Sequence, residues 1–504
     1  VTRRRLTGTE PPDQWIESDP DVRSWPPPRA KPTNAAGDAH TPLDRVTLPP
    51  VGMEALTPEL YGFDLTEDGA ALAFAATHDH EFRFCHGPNR WHRWDGTRWK
   101  PEPTRLAFES MRQTARRMGD GADQKLRATL GKAAFATGVE RFAISDRRFA
   151  VTPDRFDRDP WLLGTPGGTI DLMTGELRPP DPEDYISKQT SVTPAAPGTP
   201  CPLWDAFLDF VTRGNDDLRR FLQQILGYCL TGDVTEECIF FCFGHGMNGK
   251  GTLIGAAATI LGDYAVAADM QTFTLSKYDR HPTELAKLAG ARLVTATETE
   301  RGRTWAWSRI KELTGNETKM SARFMRRDFF EFAVTFKLLF AGNHKPRLPA
   351  ADEATARRMR LIPFDNRPEK PDFDLKLKLV AEHPAILRWM IDGCLDWRAN
   401  RLMVPDVVTD ATDAYLEEQD LLRQWIDSQC VTGPGHSATS AALFHSWRGF
   451  CLDRSEEPGT ETSWAERMAE LGTFTKVRHT PGYPGQRGWK GIALWVQPLP
   501  SEPP

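Results

Sequence analysis

Residues 239–261 read IFFCFGHGMNGKGTLIGAAATIL. Ile239 to Phe243 is an unbroken apolar run, the pattern of a short strand buried on both faces. The turn that follows, Gly244 to Gly251, holds four glycines around Asn248 and Lys250. From Thr252 to about Leu261 an alanine-rich apolar helix is expected. Strand, glycine turn, lysine and helix fit the G-x-x-x-x-G-K spacing of a phosphate-binding loop. Gly244, Gly246, Gly249 and Gly251 let backbone N–H groups curl around an anion. The helix N-terminus adds positive partial charge, and Lys250 supplies an ammonium for the β and γ phosphates of ATP. A chance glycine turn between core elements is the competing reading. The matching flanks on both sides speak against it. One position departs from the pattern: the Ser or Thr that normally follows the lysine and binds magnesium is Gly251. Thr252, directly or through a water, is then the candidate Mg2+ ligand from the loop.

The chain has 504 residues, enough for two to four domains with sizeable cores. Its net charge of −6 excludes a general polycation, so any nucleic-acid surface must be local. Eight cysteines lie scattered without C-x-x-C pairs, which suits free thiols in a reducing compartment. No long apolar span or signal peptide is visible, so a soluble, cytoplasmic protein with no membrane partner is expected.

Residues 1–54, rich in Pro, Asp, Arg and Thr, read as a disordered tail. A first folded region is expected over residues 55–233. It opens with a helix over Leu65 to Thr77. Two tight hairpins follow: one turns at Asp95-Gly96 between tryptophan-bearing strands, the other spans Asp171 to Leu177. Helices are expected over Leu203 to Val211 and Asp217 to Leu230. His78, His80, Cys85, His86 and His92 lie close in sequence but lack a known metal-ligand spacing, so a metal site is disfavoured. The nucleotide domain is expected over residues 234–404. Its strand Arg292 to Thr297 ends at Glu298, with Glu300 two residues on. A carboxylate there is what magnesium and an attacking water need, and a solvated acid is the plain alternative.

Lys319, Arg323, Arg326 and Arg327 form a basic run with aromatics, read as a hairpin suited to a nucleic-acid backbone. A solvated edge hairpin is the alternative. The strand Lys337 to Gly342 leads to Asn343, an amide placed to hold the lytic water or sense a γ phosphate. Arg357 and Arg358 precede a further strand; they could simply pair with surface acids, or reach a neighbouring subunit's phosphates. Asp372-Phe373-Asp374 looks like a catalytic D-x-D, but a helix begins there, so capping is preferred. The last region, residues 405–497, shows a helical period across Ala414 to Ile426. Helices over Ser440 to Leu452 and Ser463 to Leu471 and a basic hairpin come after it, the makings of a winged helix. DNA contact and protein docking are equally open for it. Residues 498–504 are a tail.

In this order, the glycine loop, strand–Glu298, Lys311-Glu312-Leu313-Thr314-Gly315, basic hairpin, strand–Asn343, His344-Lys345-Pro346 and Arg357-Arg358 before Ile362-Pro363-Phe364 resemble the superfamily 3 helicases. Within them the chain is similar to the helicase part of phage and plasmid primase–helicases, related to the poxvirus primase–helicase. Gly168 to Leu177 and Leu226 to Gly232 resemble that family's N-terminal helicase-associated segment. The resemblance implies an α/β fold: a P-loop AAA+-like nucleotide domain, an α+β N-terminal helicase-associated domain and a C-terminal winged-helix-like domain. It implies a homo-oligomeric ring, usually a hexamer, driven by ATP and Mg2+ along single-stranded and forked DNA. It leaves room for a separate primase or polymerase as partner. Position by position, Lys250 matches the phosphate-binding lysine, and Glu298 the first acid of the second motif, with Glu300 beside it. Asn343 matches the sensor. Lys319 and Arg323 match the channel hairpin. Arg357 or Arg358 matches the arginine finger, with Arg358 preferred. Only the proline-rich segment precedes residue 55, so priming is not expected of these residues. The alternative function is an ATP-dependent DNA loader or switch that does not unwind.

Overall fold

The computed structural model describes residues 62–275, 283–297, 303–315, 319–323, 329–348, 353–454 and 456–495. The two expected tails, Glu298, Glu300, Arg326 and Arg327 lie outside them.

The chain opens with helix α1 (Glu67–His78), whose Thr66 N-cap hydroxyl accepts from the Gly69 amide. Strands β1 (Phe82–Cys85), β2 (Arg90–Trp94) and β3 (Trp99–Pro101) follow, then helices α2 (Leu106–Met118), α3 (Gln124–Leu130) and α4 (Ala133–Ala143), and strand β4 (Ala150–Val151). The sheet order is β3-β2-β1-β4. Phe74, Phe82, Trp91, Met111, Val139 and Phe149 build a core here that belongs to this segment alone. The histidines in it serve packing. His78 stacks on Phe74 at 4.6 Å and His92 lies 4.7 Å from the Phe156 ring. His86 Nε2 donates to the Ile144 carbonyl at 2.8 Å. A three-stranded meander comes next, β5 (Leu162–Thr165), β6 (Gly168–Asp171) and β7 (Glu176–Arg178), followed by helices α5 (Pro202–Thr212) and α6 (Asp216–Tyr228).

The central sheet is built from β8 (Ile239–Phe243), β9 (Ala265–Ala267), β10 (Leu293–Thr297), β13 (Lys337–Gly342) and β14 (Met359–Pro363). Helix α7 (Lys250–Leu261) joins the first two. Short helices α8 (Thr283–Ala286) and α9 (Trp307–Thr314) and a separate hairpin, β11 (Lys319–Ala322) with β12 (Phe330–Ala333), lie between the others. The spatial order is β14-β8-β13-β10-β9, and every pairing is parallel. Successive side chains of a strand point to opposite faces, so each strand feeds two cores. Phe240, Cys242, Leu339, Ala341 and Ile362 join the core under α5, α6 and α7. Ile239, Phe241, Leu338, Phe340 and Leu361 join the other, with Trp305, Trp307 and Leu313. This double burial is why these strands read as continuous apolar runs rather than alternating ones.

After helix α10 (Glu353–Arg358) and β14 come α11 (Leu375–Leu379) and the long α12 (His383–Asn400), which packs along α6. The apolar residues of α5 and α12 meet those of the sheet in a single core. The helical period expected across Ala414 to Ile426 is two helices, α13 (Asp406–Gln419) and α14 (Leu421–Gln429). Asp420 breaks it: its ψ of 76° is not helical and its side chain caps α14 by accepting from the Arg423 amide. Helix α13 lies against β14, and Tyr415 joins the sheet's core.

The last core gathers Trp425, Trp447, Trp464 and Trp489. It is made by α14, β15 (Cys430–Thr439), α15 (Ser440–Asp453), α16 (Glu461–Glu470), β16 (Thr475–Val477) and β17 (Gly488–Leu494), with sheet order β15-β17-β16. All eight cysteines are unpaired. No helix among the described residues is long and apolar enough to cross a membrane.

Candidate nucleotide site and its relatives

Because the five strands are parallel, Phe243, Thr297 and Gly342 end at the same edge of the sheet. The crevice outside the carboxyl ends of such a sheet is where ligands bind. A cleft of ≈ 770 Å³ opens there. Residues 246–252 form its floor, Thr297 and Asn343 stand at strand ends, and the apolar face of α5 (Leu203, Phe207, Phe210) makes one wall. The segment from Pro368 to Lys376 makes the other.

Two glycines of the loop, Gly244 and Gly249, stand where a side chain would not fit. Gly249 has φ +94°, and a Cβ there would lie 2.6 Å from Val211 Cγ1 and 2.9 Å from Phe207. Gly244 has φ +150°, and its missing Cβ would fall 2.1 Å from the Phe364 carbonyl oxygen. Asn248, 2 % exposed, donates its amide to that same carbonyl and so pins the loop to the end of β14. The Lys250 ammonium donates to the carbonyls of Gly244 (2.6 Å) and His245 (3.2 Å), and to Oδ1 of Asn248 (2.9 Å) and of Asn343 (3.2 Å). At 7 % exposed its proton affinity is lowered by burial, yet four oxygens surround it. Loop lysine and strand-end amide, 93 positions apart, are thus brought into one cluster.

Gly251 is not a steric necessity. A Cβ there would meet only Lys376 Nζ, at 3.9 Å. Thr252, half-buried, lines the cleft, and no hydrogen bond to its hydroxyl occurs among the described residues. Thr297 lines the cleft, and Glu298 and Glu300 fall outside the described residues.

Lys319, Arg323, Arg357 and Arg358 are not among the residues that line this cleft, whereas Asp372 stands on its second wall. Lys319 is exposed on β11, and the Arg323 guanidinium lies 4.9 Å from the exposed Phe329 ring across the hairpin. Arg358 turns inward to Glu237 at 2.9 Å, with its side chain 13 % exposed, whereas Arg357 is exposed. Asp372 accepts from the Asp374 amide (3.0 Å) and pairs with Lys378 (2.6 Å), so the D-x-D carboxylate organises the start of α11. The N-cap residue Asp374 makes no side-chain cap bond. Sequence reasoning missed the cleft's second wall. Lys370 and Lys376 stand on it, and a lysine-rich run straight after the D-x-D was the available signal.

The model of the D5 N terminal like family matches residues 71–213, and that of a family of unknown function, DUF5906, matches residues 242–358. The 022R protein of Frog virus 3, named as a candidate helicase, is 25% identical over 298 residues, covering 54% of this chain and 30% of that protein. The L207/L206 protein of Acanthamoeba polyphaga mimivirus carries the same name at 24% identity over 330 residues, 61% of this chain and 34% of that one. The C962R protein of African swine fever virus, named as a candidate primase, is 23% identical over 347 residues, 62% of this chain and 35% of its own. These matches make the chain similar to viral proteins named as candidate helicases and primases of DNA replication. The chain spans about a third of the length of these relatives. The two matched segments divide between the N-terminal part with α5 and the central sheet with its glycine loop. Among solved structures, the apo C-terminal region of NrS-1 (305–718) aligns with a TM-score of 0.49 at 11% identity, over 84% of this chain and 99% of that one.

Proposed function

We propose that this chain is the ATP-driven motor of a superfamily 3 DNA helicase, a ring that translocates on single-stranded DNA and opens forks. The observation that carries the reading is the cluster of Lys250, Asn248 and Asn343 at the carboxyl edge of the sheet. Numbered by chain order, the five strands run 5-1-4-3-2 across the sheet, with the glycine loop after strand 1 and the amide after strand 4. That arrangement supports the AAA+-like assignment.

The residues fit a nucleoside triphosphate with magnesium. The glycine loop is shaped as a cradle, the apolar wall of α5 can receive a base, and the Thr252 hydroxyl is free to face a metal. Magnesium would be held by Thr252 and Glu298, and it supplies charge neutralisation on the phosphates. Lys250 exchanges some of its carbonyl partners for phosphate oxygens. Glu298, with Glu300, orients and deprotonates the attacking water, and Asn343 reports the γ phosphate through its contact with Lys250. The arginine finger falls to Arg357, because Arg358 is committed to Glu237 within its own subunit. Lys319 and Arg323 face the DNA backbone, with Arg326 and Arg327 completing the hairpin's charge.

The test is ATP turnover by Lys250→Ala. Alanine removes the ammonium but leaves the carbonyls of Gly244 and His245 beside an open cleft, where water can satisfy them. The fold should therefore survive while turnover falls at least about a hundredfold, the scale of a lost transition-state contact. Near-normal turnover in the folded variant would overturn the assignment.

A further inference from the structure

The C-terminal module runs helix, strand, helix, helix, strand, strand through α14, β15, α15, α16, β16 and β17, which is the order of a winged helix. In modules of this kind the helix before the hairpin is the one expected in a DNA groove. Here that helix is α16, and its chemistry opposes the role. Its exposed positions include Glu461, Glu466 and Glu470, and Glu456 and Glu457 lead into it. Its one cation, Arg467, turns back over the Trp447 ring at 5.7 Å. Glu470 stands in the last turn, where the helix dipole disfavours a carboxylate, so helix stability does not account for it. A duplex brought to this face would set its phosphates against carboxylates.

The hairpin has the opposite character. From Gly472 to Trp495 there is no acidic residue, while Lys476, Arg478, His479, Arg487 and Lys490 are all exposed. Among the described residues none of its lysines or arginines has an ion-pair partner. Thr475 and Lys490 are register partners, as are Ser437 and Lys490, so Lys490 stands in the middle of the outer sheet face. Tyr483, 47 % exposed, sits at the turn between the strands. Unpaired cations on a stiff two-stranded support, with a ring at the tip, are complementary to a phosphate backbone.

We infer that this module grips duplex DNA through the β16–β17 hairpin, by sequence-independent backbone contacts, and keeps the acidic face of α16 turned away from the DNA. The reading is independent of the nucleotide cleft, since none of these residues lines it.

The test uses the full chain and the anisotropy of a labelled blunt 20-base-pair duplex across a salt series. Arg478→Ala/Arg487→Ala/Lys490→Ala should weaken duplex binding about tenfold or more at low salt. It should also shallow the log–log salt slope by roughly two to three, since each lost phosphate contact removes about 0.9. Arg478→Lys/Arg487→Lys, which keeps the charge, should bind within about twofold of the parent and so separates charge from folding. Glu466→Gln/Glu470→Gln should change affinity by less than about twofold. An unchanged affinity and slope in the triple variant would overturn the inference. So would a gain in affinity with new sequence preference in the glutamine variant, which would place α16 in the groove.

Discussion

Position 251 carries the sharpest departure from the pattern of a phosphate-binding loop, and its surroundings say what it can tolerate. The space a side chain would need is open apart from the flexible end of Lys376. Gly251→Ser should therefore fold normally and gain a few tenths of a kcal/mol from helix propensity. With a hydroxyl at the usual position, half-maximal turnover should need less magnesium than in the parent. A titration of turnover against Mg2+ checks this. An unchanged or raised requirement would show that Thr252 already fills the role. The residue scale is also where sequence alone could not choose. Arg357 and Arg358 are indistinguishable as neighbours in a basic run. The partner that separates them, Glu237, lies 121 positions away and arrives only with the fold. The Lys250–Asn343 contact was equally invisible in itself, though both residues stood out by position, one after a glycine turn and one at a strand end.

At the scale of elements, the sheet was legible because parallel strands buried on both faces must be apolar throughout, as Ile239 to Phe243 and Leu338 to Ala341 are. The Asp95-Gly96 turn showed its hairpin for a local reason too: Asp95 Oδ1 accepts from the Thr97 and Arg98 amides. Strand β15 was missed because Gly433-Pro434-Gly435 interrupts it. The register shift between Thr432 and Ser437 shows how the sheet absorbs that interruption as an irregularity. The α13–α14 break was missed because one period of apolar residues runs through both helices while they pack into different cores. The β11–β12 hairpin is a sheet of its own, and none of its described residues lines the cleft. Lys319→Ala/Arg323→Ala should thus leave basal ATP turnover near the parent value. It should weaken single-stranded DNA binding for every sequence and shallow the salt slope by about one to two. Binding curves at four salt concentrations decide it, and an unchanged slope would remove the hairpin from the DNA path.

For the whole molecule, the division of labour follows from where charge and burial fall. The nucleotide cleft lies at the sheet's carboxyl edge, the finger candidate Arg357 is exposed on α10, and the basic hairpins stand outside the cleft. An exposed finger and a cleft open to solvent suit a site completed by a neighbouring subunit. Mixing Lys250→Ala with Arg357→Ala, each inactive alone, should then restore part of the turnover. Some interfaces in mixed rings pair an intact loop with an intact finger, and a finger is worth roughly a thousandfold or more. No recovery in confirmed mixed assemblies would place the finger elsewhere. The central claim, that the cleft's chemistry drives strand separation, is tested most directly by unwinding of a fluorescently labelled forked duplex. The parent chain should release the displaced strand only with hydrolysable ATP and Mg2+, and Lys250→Ala should release none. Binding of the fork with ATP turnover but no strand release, or release undiminished in Lys250→Ala, would contradict the account.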